Sequence, residues 1–382
     1  MAKYQLFALF FNFYRLFKIK NNRVSLVGWR EYNLNGNLGH IKSELEKKGS
    51  FHYNFIFKDE YTFNNMNSSY GFFKKVITLF RLFILKSYYM ATSKYIFLSD
   101  NFLPLAYMNI PQKMFVIQLW HASGAFKKFG LSSVTENKLM EIAHKISKKT
   151  NLVVVSSKHV VPFYSEALGV DEKKVLDLGI PRTDFYFKNN DHDYINGLKK
   201  KFEGQYPELK GKKIVLYAPT FRDEPVIDRQ ILKNFNLDLF NSELGHEYGL
   251  IVRLHPLINQ GDISENFINV TEYPDEKDLL LLADILITDY SSIMIEYALL
   301  NKPIIFYPYD YERYIQEDRS FYFDYMKNVP GPIACSGEEL VNIIKENDFD
   351  FERIKKFAKL EFDHMDGKST HRVINYILTN YL

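Results

Sequence analysis

Apolar runs of strand length recur along the chain: VSLV (24–27), NFIF (54–57), YIFL (95–98), MFVIQLW (114–120), LVVV (152–155), IVLYA (214–218), LIVRL (250–254), ILIT (285–288) and PIIFY (303–307). Most are separated by segments long enough for a helix. Near-continuous apolar strands alternating with helices predict α/β architecture, with parallel sheets covered on both faces. Nine such runs in 382 residues predict two doubly wound halves rather than one closed barrel. The charged stretch from Lys188 to Lys213 carries no strand signal and predicts the boundary. The expected domains are 1–190 and 191–382, with the final helix free to pack back on the first. No internal repeat or low-complexity tract interrupts this pattern.

Two segments break the alternation. MAKYQLFALFFNFYRLFKIK, at residues 1–20, and GFFKKVITLFRLFILKSYY, at 71–89, are apolar and basic and contain no acid. Neither is an uninterrupted apolar run of about 18 residues, so no membrane span is predicted, and no secretory cleavage pattern is visible. In the second segment Lys74, Thr78 and Arg81 form one stripe, with Lys75 beside it, against a broad face of Phe72, Phe73, Val76, Ile77, Phe80, Phe83 and Ile84. This pattern suits a helix lying on an anionic membrane surface. A core helix with a wetted basic stripe is the competing reading.

Charge sharpens the contrast between the halves. The net charge is +3, but residues 1–100 alone carry +9 and the remainder −6. Nucleic acid is not expected as a partner, because no reader motif appears and the basic residues sit among aliphatics. The single cysteine, Cys335, excludes an intramolecular disulfide and a cysteine zinc site. Aromatic residues make up 16% of the chain, which calls for large cores, an apolar binding surface, or both.

Open parallel sheets bind ligands beyond the carboxyl ends of their strands, and the unusual polar clusters fall there. QLWHASGAFKKFG places His121 at a strand end, in the range for a general base, with Lys127 and Lys128 available to phosphate. LGIPRTD carries Arg182, a candidate substrate- or donor-binding residue, and Asp184, although on their own the two read more simply as an Asx-stabilised turn. LYAPTFRDE presents Thr220, Arg222 and Asp223, a phosphate clamp or a surface ion pair. In VRLHP, His255 closes a strand just before Pro256, either a catalytic histidine donating a hydrogen bond to a phosphate oxygen or a satisfied core histidine. ADILITDYSSIMIEYALLNKPIIFY is strand, Asp289-Tyr290-Ser291-Ser292, helix, strand, the context of a phosphate or diphosphate site, with Glu296 placed to hold ribose hydroxyls. Arg319 precedes an aromatic run and a Pro-Gly turn. Two Asp-x-Asp pairs, Asp191/Asp193 and Asp348/Asp350, lie away from strand ends, so metal-independent chemistry is favoured and no cofactor is expected.

In combination, QLWHASGAFKKFG, LGIPRTD, LYAPTFRD, VRLHP, the DYSS helix with its flanking strands, RSFYFDY with PGPI, and DGKSTHR resemble the CDP-glycerol glycerophosphotransferase family of teichoic acid synthesis. They cover roughly residues 114–372. The resemblance implies a GT-B fold, two Rossmann-like domains with the active site in the cleft between them. It implies that His121 is the base activating the acceptor hydroxyl and that His255, Ser291, Ser292, Arg319 and the Thr220–Asp223 loop surround the donor diphosphate, with Glu296 near the cytidine or ribose. It also implies CDP-glycerol as donor, a polyprenyl-diphosphate-linked saccharide as acceptor, and a peripheral location on the cytoplasmic face of the cell membrane. Where polymerases of the family usually have Trp-His-Gly-Thr, this chain has Trp120-His121-Ala122-Ser123-Gly124, which looks more like the primases. The expected reaction is therefore one transfer of glycerol phosphate with release of CMP. The alternatives are a glycerol- or ribitol-phosphate polymerase, a GT-B glycosyltransferase using a nucleotide sugar, and a membrane scaffold without turnover.

Overall fold

The computed structural model describes residues 2–28, 34–57, 77–134, 136–222, 231–254, 267–318 and 320–381. The chain divides into two compact units. The first comprises Met1–Ser123, Phe129–Asp184 and Lys368–Leu382, the second Gly124–Lys128 and Phe185–Gly367.

In the first unit, helix α1 (Ala2–Tyr14) precedes strand β1 (Lys20–Gly28), helix α2 (Asn37–Lys48) and strands β2 (His52–Phe57), β3 (Ser93–Leu98), β4 (Phe115–Gln118), β5 (Leu152–Val154) and β6 (Val175–Leu176). The strands form one parallel sheet in the order β2-β1-β3-β4-β5-β6. Alternate side chains serve opposite faces. Val27, Ile56, Ile96, Leu98 and Val116 pack with Phe7 and Phe11 of α1. Val24, Leu26, Phe97 and Ile117 pack with Leu38, Ile41 and Leu45 of α2. Every residue of β3 is buried, which is why its sequence shows no alternation.

The second unit is also a parallel sheet: β7 (Lys213–Ala218), β8 (Tyr248–Val252), β9 (Ile268–Asn269), β10 (Ile285–Thr288) and β11 (Ile304–Phe306), in the order β11-β10-β7-β8-β9. Helix α3 (Ile293–Ala298) follows β10, and helix α4 (Phe351–Glu361) lies near the end of the unit. All nine apolar runs of the sequence are strands. The two that the pattern misses, β6 and β9, are two-residue edge strands, too short to leave a signal.

The change of unit falls at Asp184/Phe185, earlier than the charged stretch, because the chain from His192 to Gln205 is a helix that already belongs to the second unit. The last helix, α5 (Ser369–Asn380), belongs to the first unit and fills its α2 face with Val373, Ile374 and Ile377. Asp184 fixes its start. Its carboxylate accepts from Ser369 N at 2.8 Å, Thr370 N at 2.9 Å and Thr370 Oγ1 at 2.6 Å. Asp191 and Asp350 likewise accept from backbone N–H groups at helix starts, the ordinary work of an N-cap aspartate.

The two apolar basic segments each bury part of their apolar surface and expose the rest. α1 buries Phe7, Ala8 and Phe11 in the core yet leaves Leu6, Leu9 and Phe13 exposed. Residues 77–91 are helical, with a π-helical stretch at Arg81–Lys86. They bury Leu82, Phe83 and Met90 and expose Ile77, Phe80 and Leu85 beside an exposed Arg81. Lys74 and Lys75 lie outside the described residues. Among the described residues no helix is long and apolar enough to cross a membrane.

A strap from Gly124 to Lys128 joins the second unit. Phe126 enters its core against Phe321 and Tyr325, Phe126 O accepts from Tyr322 N at 3.0 Å, and Lys128 N donates to Ser320 O at 3.0 Å. Ala125 N donates to buried Glu361 of α4 at 3.2 Å. Gly124 is required here. Its φ is +65°, and a Cβ on it would stand 2.1 Å from Glu361 Oε2. Burial pushes the Glu361 carboxyl up to about 7, against the opposing hydrogen bond from Ala125. The folded chain therefore keeps a proton that the unfolded chain releases near its ordinary value of 4.5. Stability should fall as pH rises from about 4.5 to about 7, then stay level, a loss of ~3 kcal/mol. Glu361→Gln should remove that slope. Urea unfolding of both proteins at pH 5 and pH 8 checks this, and equal pH dependence in the two contradicts it.

Candidate active site

The first unit presents His121 on a turn held from three sides. Beyond β4, Gln118 Oε1 accepts from Trp120 N at 2.9 Å, and Gln118 Nε2 donates to Asp100 O at 3.2 Å. The next three carbonyls are each occupied. Trp120 O accepts from Asn37 Nδ2 at 2.9 Å, His121 O from Arg182 Nη1 at 3.4 Å, and Ala122 O from Tyr164 OH at 2.9 Å. Asn37, at the start of α2, also accepts from Arg182 N at 2.9 Å, so one buried amide ties two loops together.

These bonds sustain an unusual backbone. Trp120 has φ +57°, a left-handed conformation costly for a bulky residue and characteristic of functional turns. Its indole is buried between His121, at 4.6 Å between ring centroids, and Phe129, at 5.1 Å. The imidazole itself is about one-third exposed, with Nδ1 3.6 Å from Asp100 Oδ1. A carboxylate beside one ring nitrogen favours the proton there and leaves the other as acceptor. Asp100 closes β3 in YIFLSD and is a polar residue at a strand end, the same rule that singles out His121. Arg182 faces the turn by its bond to His121 O.

The second unit gathers its residues beyond β7 and β10, the neighbouring strands at which its order reverses. Asp289 is fully buried and accepts from Thr220 N at 2.8 Å, Tyr290 N at 2.5 Å and Arg222 Nη2 at 2.9 Å. The structure gives Arg222 a role other than the phosphate clamp read from its sequence position. Its side chain has no solvent exposure. Asp310 grips the guanidinium with both oxygens, at 2.7 Å from Nε and 2.8 Å from Nη2, while Thr220 O accepts from Nη1 at 2.6 Å. The rings of Tyr290, Tyr309 and Tyr314 surround it within 5.4 Å. Arg222 is thus a brace that fixes the DYSS turn to the loop after β7, and Asp289 turns inward to it. Burial alone would raise the Asp310 carboxyl, but the bonds and charge of Arg222 outweigh it and hold the carboxyl below its usual range. Burial would likewise lower the Arg222 guanidinium, and the Asp289 and Asp310 carboxylates hold it raised.

Ser291 and Ser292 are half-buried at the start of α3, with Ser291 Oγ accepting from Ile293 N at 3.4 Å. Glu296, one turn on, is buried and accepts from Tyr186 OH at 2.9 Å. Lys127 and Lys128 are half-buried on the strap. Asp223, His255 and Arg319 lie outside the described residues. Among the described residues no group of three or more His, Cys, Asp or Glu is arranged to hold a metal ion.

Each unit is an open parallel α/β sheet with polar clusters beyond its strand ends, where such sheets bind ligands. A model of the CDP-glycerol:poly(glycerophosphate) glycerophosphotransferase family matches residues 8–379, and the chain belongs to that family. It is 35% identical over 381 residues to a teichoic acid poly(ribitol-phosphate) polymerase of Bacillus spizizenii, covering 98% of this chain but 59% of that protein. The chain thus spans little more than half the length of that relative. It is 33% identical over 372 residues to a teichoic acid ribitol-phosphate primase of the same organism, covering 95% of this chain and 92% of the primase. Its fold matches that of the wall teichoic acid polymerase TagF with a TM-score of 0.79 at 24% identity, over 98% of this chain and 93% of the other.

Proposed function

We propose that this chain transfers one polyol phosphate from a CDP-polyol to a hydroxyl of a polyprenyl-diphosphate-linked saccharide, releasing CMP, in teichoic acid synthesis on the cytoplasmic face of the membrane. The observation that carries the reading is the His121 turn, whose three consecutive carbonyls are bound by Asn37, Arg182 and Tyr164. Such a turn presents an imidazole about one-third exposed from a fixed backbone, as a general base requires.

In this reading the two units are the halves of a GT-B enzyme, the first serving the acceptor and the second the donor. His121 takes the acceptor proton. The freed oxygen bonds to the polyol-bearing phosphorus, the bond from that phosphorus to the bridging oxygen breaks, and CMP leaves with the electron pair. Ser291, Ser292, His255 and Arg319 neutralise the diphosphate charge, Lys127 and Lys128 meet the acceptor phosphates, and Glu296 fixes the ribose. Arg222, Asp223, Asp289 and Thr220 shape the donor loop. Positioning and electrostatics supply the rate, with no cofactor.

The family resemblance implies CDP-glycerol. A second reading, CDP-ribitol, is favoured by the match of nearly the whole chain to a ribitol-phosphate primase of similar length. Incubation with each CDP-polyol and a short-chain lipid-linked disaccharide, followed by product masses, separates them. We expect one added polyol phosphate and CMP release, unchanged in EDTA, with ribitol the better donor. A ladder of additions would make the chain a polymerase, and transfer of a sugar from a nucleotide sugar would overturn the reading.

A further inference from the structure

The carboxyl edge of the first sheet carries one more polar cluster, which the chemistry of His121 and the DYSS turn leaves unused. Strand β5 runs straight into Ser156-Ser157-Lys158-His159, in the stretch LVVVSSKHVV. The sheet order puts β5 between β4 and β6. Gln118 pairs with Val153, so Ser156 lies as many residues beyond that pairing as His121 does. On the other side, Gly179 N donates to Val155 O at 3.0 Å, and three residues later Arg182 reaches the His121 carbonyl. The chain after β5 therefore leaves the sheet between the strand that carries His121 and the strand that leads to Arg182.

The four residues divide by burial. Ser156 and Ser157 are buried, Lys158 is exposed and His159 is half-buried. The support beneath them is fixed. The His159 ring meets Phe163 edge-on, with centroids 5.6 Å apart and planes at 72°. Tyr164, on the same helix (Val161–Leu168), donates to Ala122 O at 2.9 Å and ties that helix to the His121 turn. Arg182 adds a second cation on the same edge, and Asp184, two residues on, gives its carboxylate to the start of α5. Two cations and an imidazole that can donate an N–H suit a group with several anionic oxygens. A neutral saccharide would have no use for them.

We propose that Lys158 and His159, with Arg182, seat the diphosphate of the acceptor on the carboxyl edge of the first sheet, beside the base. The inference rests on the proposed function and deepens it, by naming the residues that recognise the acceptor through its diphosphate rather than its sugar. Every group invoked belongs to the first unit. Binding energy from a diphosphate remote from the reacting hydroxyl positions that hydroxyl at His121.

The test compares two acceptors: a disaccharide linked to a short alkyl chain through diphosphate, and the alkyl glycoside of the same disaccharide without phosphate. Lys158→Gln with His159→Gln should raise KM for the first by about tenfold or more, the scale of hydrogen bonds to a charged group, with kcat within about threefold of wild type. The wild-type preference for the first acceptor over the second should fall by the same factor. Lys158→Arg alone, which keeps the charge, should hold that preference. Neither residue is fully buried and both replacements are polar, so the double variant should fold, which its urea midpoint checks. An unchanged KM overturns the proposal. So does an equal loss with both acceptors, which would mean that the pair only supports the His121 turn. So does weaker binding of the CDP-polyol with acceptor KM unchanged, which would assign the segment to the donor. Failure of the wild type to use either acceptor would count against the function instead. Calorimetric binding of the two acceptors still decides the seat in that case: a preference for diphosphate that the double variant lacks supports it, and equal affinities overturn it.

Discussion

Replacing His121 by alanine is expected to lower polyol-phosphate transfer by ~10²–10⁴-fold, the usual contribution of a positioned general base. Affinity for the CDP-polyol should stay close to that of the wild type. The variant should also fold, because the turn is held through its backbone. The carbonyls of Trp120, His121 and Ala122 are bound by Asn37, Arg182 and Tyr164 whatever side chain stands at 121. What is lost is the imidazole, with its contacts to the Trp120 ring and the Asp100 carboxylate. Single-turnover CMP release with equilibrium binding of the donor checks both halves of the expectation. Near-normal turnover would remove His121 as the base.

The second large effect falls on stability. Arg222→Met should destabilise the second unit by about 3–5 kcal/mol, the range for breaking one side of a buried ionic group. The substitution keeps most of the volume but strands two carboxylates. Asp289 would retain only the N–H donors of Thr220 and Tyr290, and Asp310 would retain the hydroxyl of Tyr290 and the more distant guanidinium of Arg313 at 3.6 Å. The penalty has a pH signature. With the bonds and charge of Arg222 gone, burial is freer to raise the Asp310 carboxyl, so the folded variant gains a proton as pH falls and its deficit against wild type should be smaller at pH 5 than at pH 8. Urea midpoints at the two pH values measure this. A variant as stable as wild type but unable to bind the CDP-polyol would show that the arginine meets ligand after all.

The contrast between these residues shows what sequence can carry. The strands were legible because apolar runs buried on both faces leave little ambiguity, and β3 is the extreme, with all six residues buried. His121 and the DYSS turn were legible because a polar cluster directly after such a run marks the working edge of a parallel sheet. Orientation was not legible. Arg222 follows its strand as a phosphate ligand would, yet Asp310, far along the chain, and a cage of tyrosines turn it inward. The left-handed Trp120 left no mark either, since nothing local demands it and the bonds that impose it come from Asn37, Tyr164 and Arg182. The paired faces of α1 were half legible. A helix apolar all round can serve a core, a membrane or both, and only the fold shows which of its residues are buried and which exposed.

The return of α5 to the first unit bears on how the molecule is made. Strands β1 to β6 leave the ribosome before the second unit, but the helix that covers their α2 face with Val373, Ile374 and Ile377 emerges only after it. The half that begins first is completed only after the whole of the other has been synthesised. Until residue 377 is out, an aliphatic groove on the nascent chain lies open to chaperones. A fragment cut at the sequence boundary near 190 would carry that exposure permanently, and its complement would bear a helix with no sheet to cover.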